Sequence, residues 1–265
     1  MKTNYHTHTV WCDGRDTPEA MIKAALEKGF DVLGFSSHSA YPDDSVCTVP
    51  SAKLHGYFDD VRSLAERCSG RIDVLCGVEA DYIPGSTDPD VSRYATFSPD
   101  YIIGSVHYVV APDGGRVPVD HTPQLLADGI AAHFGGDVRS YICAYFRHER
   151  EMAERFRFDV VGHPDLVRKF NARNPYFDET AAWYVDELAA TADAIARSGK
   201  IVEVNTGAIS RGWLDDAYPS AAFRKMLRER GVRFILSSDS HSAETLDCAF
   251  DRFGDAEDYV QRPFA

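Results

Sequence analysis

His6-Thr7-His8 stands near the start of the chain, and His38, Glu79, His107, His163 and Asp239-Ser240-His241 follow at intervals, each directly after a hydrophobic run. In an extended strand successive side chains alternate, so His6 and His8 point to the same side. Imidazoles mixed with carboxylates suit borderline transition metals better than calcium or a fully hydrated magnesium. The first expectation is a multinuclear metal site. A single histidine is more often a surface or satisfied core residue. Several imidazoles and carboxylates at the ends of separate buried strands differ: burying them costs on the order of several kcal/mol, and metal coordination is the natural compensation.

The elements that must position these residues read as alternating helices and strands. Helical patterns stop at Gly29, Gly70, Gly199 and Gly231, and a short β-rich run follows each. Glycine tolerates the left-handed conformation that ends a helix. With Asn4-Tyr5-His6, Tyr101–Val106 and Phe158–Gly162, these runs make seven strands. Helices are expected near residues 17–28, 52–68, 123–133, 138–156, 179–197 and 220–230, the first with Thr17 as N-cap and Pro18 at its first position. Such alternation implies an α/β fold with a parallel sheet covered by helices. An open sheet would spread the ligand-bearing strand ends along an edge too wide to share ions, whereas a closed ring opens them all on one face. The expectation is a barrel with the metal site at the C-terminal ends of its strands. Segments 39–52 and 84–100, rich in Ser, Pro, Asp and Tyr, are expected to form rims or lids on that face.

Bulk properties narrow the partners. The 265 residues, 44% hydrophobic, suffice for one large core, so a single domain over 1–265 is the simplest organisation. A net charge of −13 disfavours nucleic acid, because phosphate backbones demand exposed Lys and Arg. The six cysteines include no CxxC pair and are expected to be reduced. No membrane span or secretory signal is apparent, so the expected location is the cytoplasm. Oligomeric state is not legible.

The order HxH, His, Glu, His, Gly162-His163-Pro164-Asp165 and Ser238-Asp239-Ser240-His241 resembles the PHP family, named for polymerase and histidinol phosphatase, over essentially the whole chain. The likeness is to the histidinol-phosphatase branch, through Gly104-Ser105-Val106-His107, Gly162 to Lys169 and Glu203-Val204-Asn205-Thr206 as well. The resemblance implies a distorted (β/α)7 barrel holding two to three divalent ions, Zn, Mn or Fe. It assigns His6, His8, Glu79 and Asp239 to one ion, Glu79 as a bridge to a second held by His107 and His163, and Asp13, His38 and His241 to a third. Asp13 stands where many relatives carry histidine; it also reads as a turn residue in Cys12-Asp13-Gly14. Asp31 and Asp165 read as supporting or capping groups, and His55, His121, His133 and His148 as surface residues.

Three divalent ions would outweigh the charge of Asp13, Glu79 and Asp239, leaving a positive pocket suited to a phosphate dianion. The expected reaction is hydrolysis of a phosphomonoester by metal-activated water, with a small phosphorylated metabolite as substrate and L-histidinol phosphate as the one the resemblance implies. Glu79, Asp239 and His241 are the catalytic candidates, the last two as proton donors to the leaving alkoxide. Arg168 and Arg211 are the candidate phosphate clamps, since a guanidinium grips two oxygens at once, and Asn205 a substrate contact. Tyr82 and Tyr108 are candidates to line the leaving-group end. A phosphoesterase of other or broad specificity, an amidohydrolase-like metal hydrolase and a metal-binding scaffold are the competing readings.

Overall fold

The four glycines expected at helix stops all adopt the left-handed conformation, with φ between 71° and 79°, and a strand begins within three residues of each. In this computed structural model, which describes residues 1–41, 47–254 and 259–264, the parallel strands are β1 Thr3–Asn4, β2 Val32–Phe35, β3 Asp73–Cys76, β4 Val78–Asp81, β5 Ile102–Ser105, β8 Val160–Val161, β9 Ile201–Asn205 and β10 Phe234–Ser237. An antiparallel hairpin, β6 Tyr108–Val110 with β7 Arg116–Pro118, follows β5; the sequence did not announce it. Part of the expected rim segment 39–52, residues 42–46, lies outside the described residues.

The main helices are α1 Pro18–Glu27, α2 Leu54–Cys68, α4 Pro123–Phe134, α5 Val138–Arg155, α6 Ala182–Ser198 and α8 Ala221–Glu229. Short turns α3 Val91–Tyr94, α7 Gly207–Ser210 and α9 Phe250–Phe253 complete the set. Thr17 caps α1 as expected, its hydroxyl accepting the Ala20 N–H, with Pro18 opening the helix.

The parallel strands pair in the orders β1-β2-β3 and β10-β9-β8-β5-β4. The third expected strand is therefore longer than its hydrophobic run suggested: it passes Gly77 and continues as β4, so Glu79 lies within a strand and not after one. Single bridges, Thr7 with Ser240 and His38 with Glu79, tie the two sheets together beside the candidate ligands. At the opposite end Tyr101 reaches beneath Gly34 and Gly77, where any side chain would overlap its ring. Its hydroxyl donates to the carbonyls of Tyr5 at 2.5 Å and Phe35 at 3.1 Å. A small apolar cluster including Tyr5, Val32, Tyr101, Ile103, Val160, Ile201 and Ile235 lies on one side of the strands, and a larger one packs them against the helices. With both faces covered, the strands read as unbroken hydrophobic runs.

Candidate metal centre

Thr7 anchors the first pair of candidate ligands. Its Oγ1 donates to the Gly34 carbonyl at 2.8 Å, and the next residue's N–H donates to Ser240 O at 2.8 Å. Held from outside in this way, His6 and His8 turn inward together and are fully buried. His6 Nδ1 lies 2.9 and 3.1 Å from the two Glu203 carboxylate oxygens, a contact that puts the ring proton on Nδ1 and leaves a lone pair on Nε2. That Nε2 is 3.0 Å from His8 Nε2.

Glu79 occupies the middle of the cage. Its Oε1 accepts from Ser105 Oγ at 2.6 Å and lies 2.9 Å from His163 Nε2 and 3.6 Å from His107 Nε2. Its Oε2 has His38 Nδ1 at 2.9 Å, His6 Nε2 at 3.1 Å and His8 Nε2 at 3.5 Å, yet makes no aligned hydrogen bond although buried. A buried carboxylate oxygen ringed by imidazole nitrogens without hydrogen-bond geometry is what a shared cation would satisfy. The donor set fits divalent metal ions.

The remaining ligand types close around it. His107 is oriented by Asp81, whose Oδ1 takes both the ring Nδ1 contact at 2.9 Å and the main-chain N–H at 3.0 Å. His163 and Asp239 adopt positive φ, 23° and 51°, a strained conformation for residues with side chains. Arg211 grips Asp239, donating to Oδ1 at 3.0 Å, Oδ2 at 3.2 Å and the carbonyl oxygen at 3.0 Å. Asp13 Oδ1 lies 3.2 Å from His241 Nε2, 3.8 Å from His8 Nδ1 and 3.9 Å from His38 Nε2. All nine expected ligands thus fall into four overlapping groups whose donor atoms lie within 4.8 Å of one another: His8, Asp13, His38, His241; His6, Glu79, His163; His6, His8, Asp239; and His38, Glu79, His107.

Protonation follows from this crowding. Burial and the neighbouring His241 and His38 push His8 down to about 3, so it stays a neutral donor. Burial opposes ionisation of Glu79 and Asp239, but His6, His38 and His107 around the first and Arg211 and His6 around the second outweigh it, holding both carboxyls well below the usual range. His107 is raised to about 9 because Asp81 and Glu79 outweigh its desolvation.

Outward from the cage opens a cavity of about 240 Å³. Arg211 lines it, as do Asp120, Lys169, His121, Tyr41 and Tyr218. Arg168, expected beside Arg211, is instead buried, its Nε on Glu179 Oε2 at 2.7 Å and its Nη1 3.5 Å from Asp165 Oδ2, and it does not line the cavity. The next residue, Lys169, faces the cavity in its place, with Nζ donating to the Asp120 carbonyl at 2.7 Å and Oδ2 at 3.0 Å. Asn205 is buried behind the ligands, donating to Glu203 Oε1 at 2.8 Å and accepting from Gly207 N–H at 2.8 Å. Tyr82 packs away from the cavity and donates to Glu151, whereas Tyr108 stands near its rim, 5.7 Å ring to ring from Tyr41. Asp165 accepts the Ser220 N–H and Asp31 the Lys2 main-chain N–H, as supporting groups. Of the four histidines expected at the surface, His55 is exposed, His121 lines the cavity, His133 pairs with Asp113, and His148 is buried.

Sequence reasoning missed Glu203, Asp81 and Ser105, which hold ligands, and Asp120 and Lys169. Asp81 and Ser105 had a signal, since they alternate with Glu79 and His107, and Glu203 a weaker one, as a carboxylate inside a hydrophobic strand; Asp120 had none, because the hairpin that delivers it was not foreseen.

Comparisons with known proteins agree with this fold. A PHP domain model matches residues 4–207. A Schizosaccharomyces pombe protein named "Probable histidinol-phosphatase" is 30% identical over 239 residues, covering 84% of this chain and 74% of that one. The crystal structure of the hisK protein from Listeria monocytogenes superposes with a TM-score of 0.83 at 20% identity, covering 95% of this chain and all of that one. The Lactococcus lactis histidinol phosphate phosphatase, complexed with Zn, L-histidinol and phosphate, gives a TM-score of 0.60 at 18% identity, covering 91% of this chain and 87% of that one.

Proposed function

Because the chain belongs to the PHP domain family, we propose that it is a metal-dependent phosphatase that hydrolyses L-histidinol phosphate to L-histidinol and phosphate. The observation that carries the reading is the nine-ligand cage with Glu79 at its centre. The substrate comes from the name of the fission-yeast relative and from the ligands of the lactococcal structure. The two sheets are read as one seven-stranded ring in which β3 and β4 count as a single strand kinked at Gly77, within a single domain over 1–265. No two cysteines form a disulfide among the described residues, which suits the reducing cytoplasm. No described helix is long and apolar enough to cross a membrane.

In this reading His6, His8, Glu79 and Asp239 hold one ion, Glu79, His107 and His163 a second, and Asp13, His38 and His241 a third, with Zn, Mn or Fe all compatible with the donors. When bound, such ions supply Lewis acidity, lowering the pKa of water and offsetting phosphoryl charge. The protein's own groups do the rest. Arg211, at the cavity wall, places a guanidinium where phosphoryl oxygens would lie. Lys169 adds a second positive charge, held in place by Asp120. Asp239 is held ionised and so is unsuited to give up a proton. His241 is the remaining candidate to deliver a proton to the leaving alkoxide, in the state where Nε2, left over by the Arg211 contact to Nδ1 at 2.9 Å, does not hold the third ion. Asp120, among the described residues the one carboxylate lining the cavity outside the four ligand groups, offers a seat for the cationic end of the leaving group.

The test is phosphate release by protein reconstituted with manganese or zinc, using L-histidinol phosphate, nucleotides, sugar phosphates and p-nitrophenyl phosphate. A preference for histidinol phosphate of at least roughly a hundredfold is expected, since several polar groups would be left unpaired by the other leaving groups. Equal, slow rates on all four would overturn the assignment.

A further inference from the structure

Two candidate ligands pay for their place with a left-handed backbone, His163 and Asp239. Asp239 is held in that conformation by Arg211, which bonds both its carboxylate and its carbonyl. His163 has no such partner among the cavity residues. Its N–H is taken by Glu203 at 2.9 Å, and its carbonyl accepts the Leu166 N–H at 2.8 Å, closing a tight turn over His163-Pro164-Asp165-Leu166. Behind that turn stands a fully buried tyrosine of α5. The Tyr145 hydroxyl lies 3.4 Å from the His163 carbonyl oxygen and accepts the Leu166 N–H at 3.2 Å, so it touches both ends of the turn. One helical turn further on, Glu149 takes the hydroxyl's own proton, its Oε1 at 2.8 Å. Glu149 is completely buried, and among the described residues no cationic side chain bonds to it and its Oε2 has no hydrogen-bond partner. Nothing in the reaction described above uses it.

We infer that Tyr145 is a positioning residue for the ligand His163, with Glu149 fixing the direction of the Tyr145 hydroxyl. A buried carboxyl on a core helix is unfavourable by itself. Here it orients a hydroxyl that braces a strained turn at both its ends, and the turn sets where His163 Nε2 points, 2.9 Å from Glu79 Oε1. The helix is a rigid carrier for such a brace, because residues four apart lie on one face. The chain of contact runs from Glu149 through Tyr145 to the turn and then to the metal cage, and the cage is reached from outside its own shell of ligands.

This inference rests on reading His163 as a ligand, so His163→Ala is the control for that reading. The experiment titrates cobalt(II) into metal-free protein and follows both the visible absorption of the bound ion and amide hydrogen exchange at Leu166 before metal is added. Tyr145→Phe is expected to weaken one class of cobalt site roughly tenfold, the order expected for loss of a partner behind a metal ligand, and to change its spectrum. It should also speed Leu166 exchange while the sites containing Asp13, His38 and His241 keep their affinity. Glu149→Leu should reproduce that pattern and Glu149→Gln, which keeps an acceptor at the same place, should reverse it. Should Tyr145→Phe fail to fold, the two Glu149 variants carry the test alone. Loss of cobalt in His163→Ala together with unchanged affinity, spectrum and exchange in Tyr145→Phe or Glu149→Leu would overturn the inference. Retention of all cobalt in His163→Ala would instead overturn the ligand reading.

Discussion

The Glu203 carboxylate closes on His6 Nδ1 through both of its oxygens, at 2.9 and 3.1 Å, while His6 Nε2 faces Glu79 Oε2 at 3.1 Å. Glu203 also receives the His163 N–H, so one buried acid orients two candidate ligands. Glu203→Gln places an amide where two acceptors were needed and frees the His6 tautomer. Metal affinity should fall roughly 10–100-fold, measured by competition with a chelator. Unchanged affinity would remove Glu203 from the support of the cage.

Glu79 has imidazole nitrogens on both carboxylate oxygens. Glu79→Gln should abolish nearly all turnover and lower the number of ions bound per chain, read by elemental analysis. Wild-type rates with full metal content would defeat the bridging role.

The two candidate arginines should separate cleanly. Arg211→Ala, at the cavity wall, should reduce kcat/KM by roughly a hundredfold or more, with modest loss of stability. Arg168→Ala leaves Asp165 buried without its cation and should cost about 3 kcal/mol of folding stability, with KM nearly unchanged. Denaturant titration beside steady-state kinetics checks both, and a raised KM with intact stability in Arg168→Ala would return that residue to the substrate site.

Asp120 tests leaving-group recognition. Asp120→Asn should lower kcat/KM for histidinol phosphate by roughly tenfold while sparing p-nitrophenyl phosphate, whose leaving group carries no positive charge. Equal losses on both esters would mean that the residue only holds Lys169.

His148 predicts an acid-sensitive component of stability. Burial, with Arg147 nearby, lowers it to about 4 from an ordinary 6.5, so the folded protein keeps it neutral while the unfolded chain protonates it. Its contribution is complete above about pH 6.5 and is lost as pH falls to about 4, at most about 3 kcal/mol. His148→Leu, compared with wild type in metal-free protein by denaturant midpoints across that window, should flatten the acid limb; parallel curves would refute the assignment.

Much of the site was readable before folding because metal ligands are defined by residue type and because each follows a hydrophobic run. His6 and His8 could be placed on one side from strand alternation alone, and the four glycine stops marked where strands begin. The hairpin Tyr108–Pro118 was not legible, since its short runs carry no alternation strong enough to stand out from a loop. His148 was misplaced at the surface because its helix buries a wide face: Tyr141, Tyr145, Phe146, His148, Glu149 and Met152 all face inward.

The order of chemical groups along the chain marked which residues are candidates to cage cations, most of them just beyond strand ends, with Glu79 inside β4 as the exception. Tertiary structure alone decided which neighbours work for the cavity. Arg168 and Lys169 are adjacent, but the tight 3-10 turn Leu166–Arg168 swings successive side chains about 120° apart, sending the arginine into Glu179 and Asp165 and the lysine to the cavity. Likewise Glu203 and Tyr145 acquire their roles only through contacts spanning 197 and 18 residues, made by packing and absent from any local pattern.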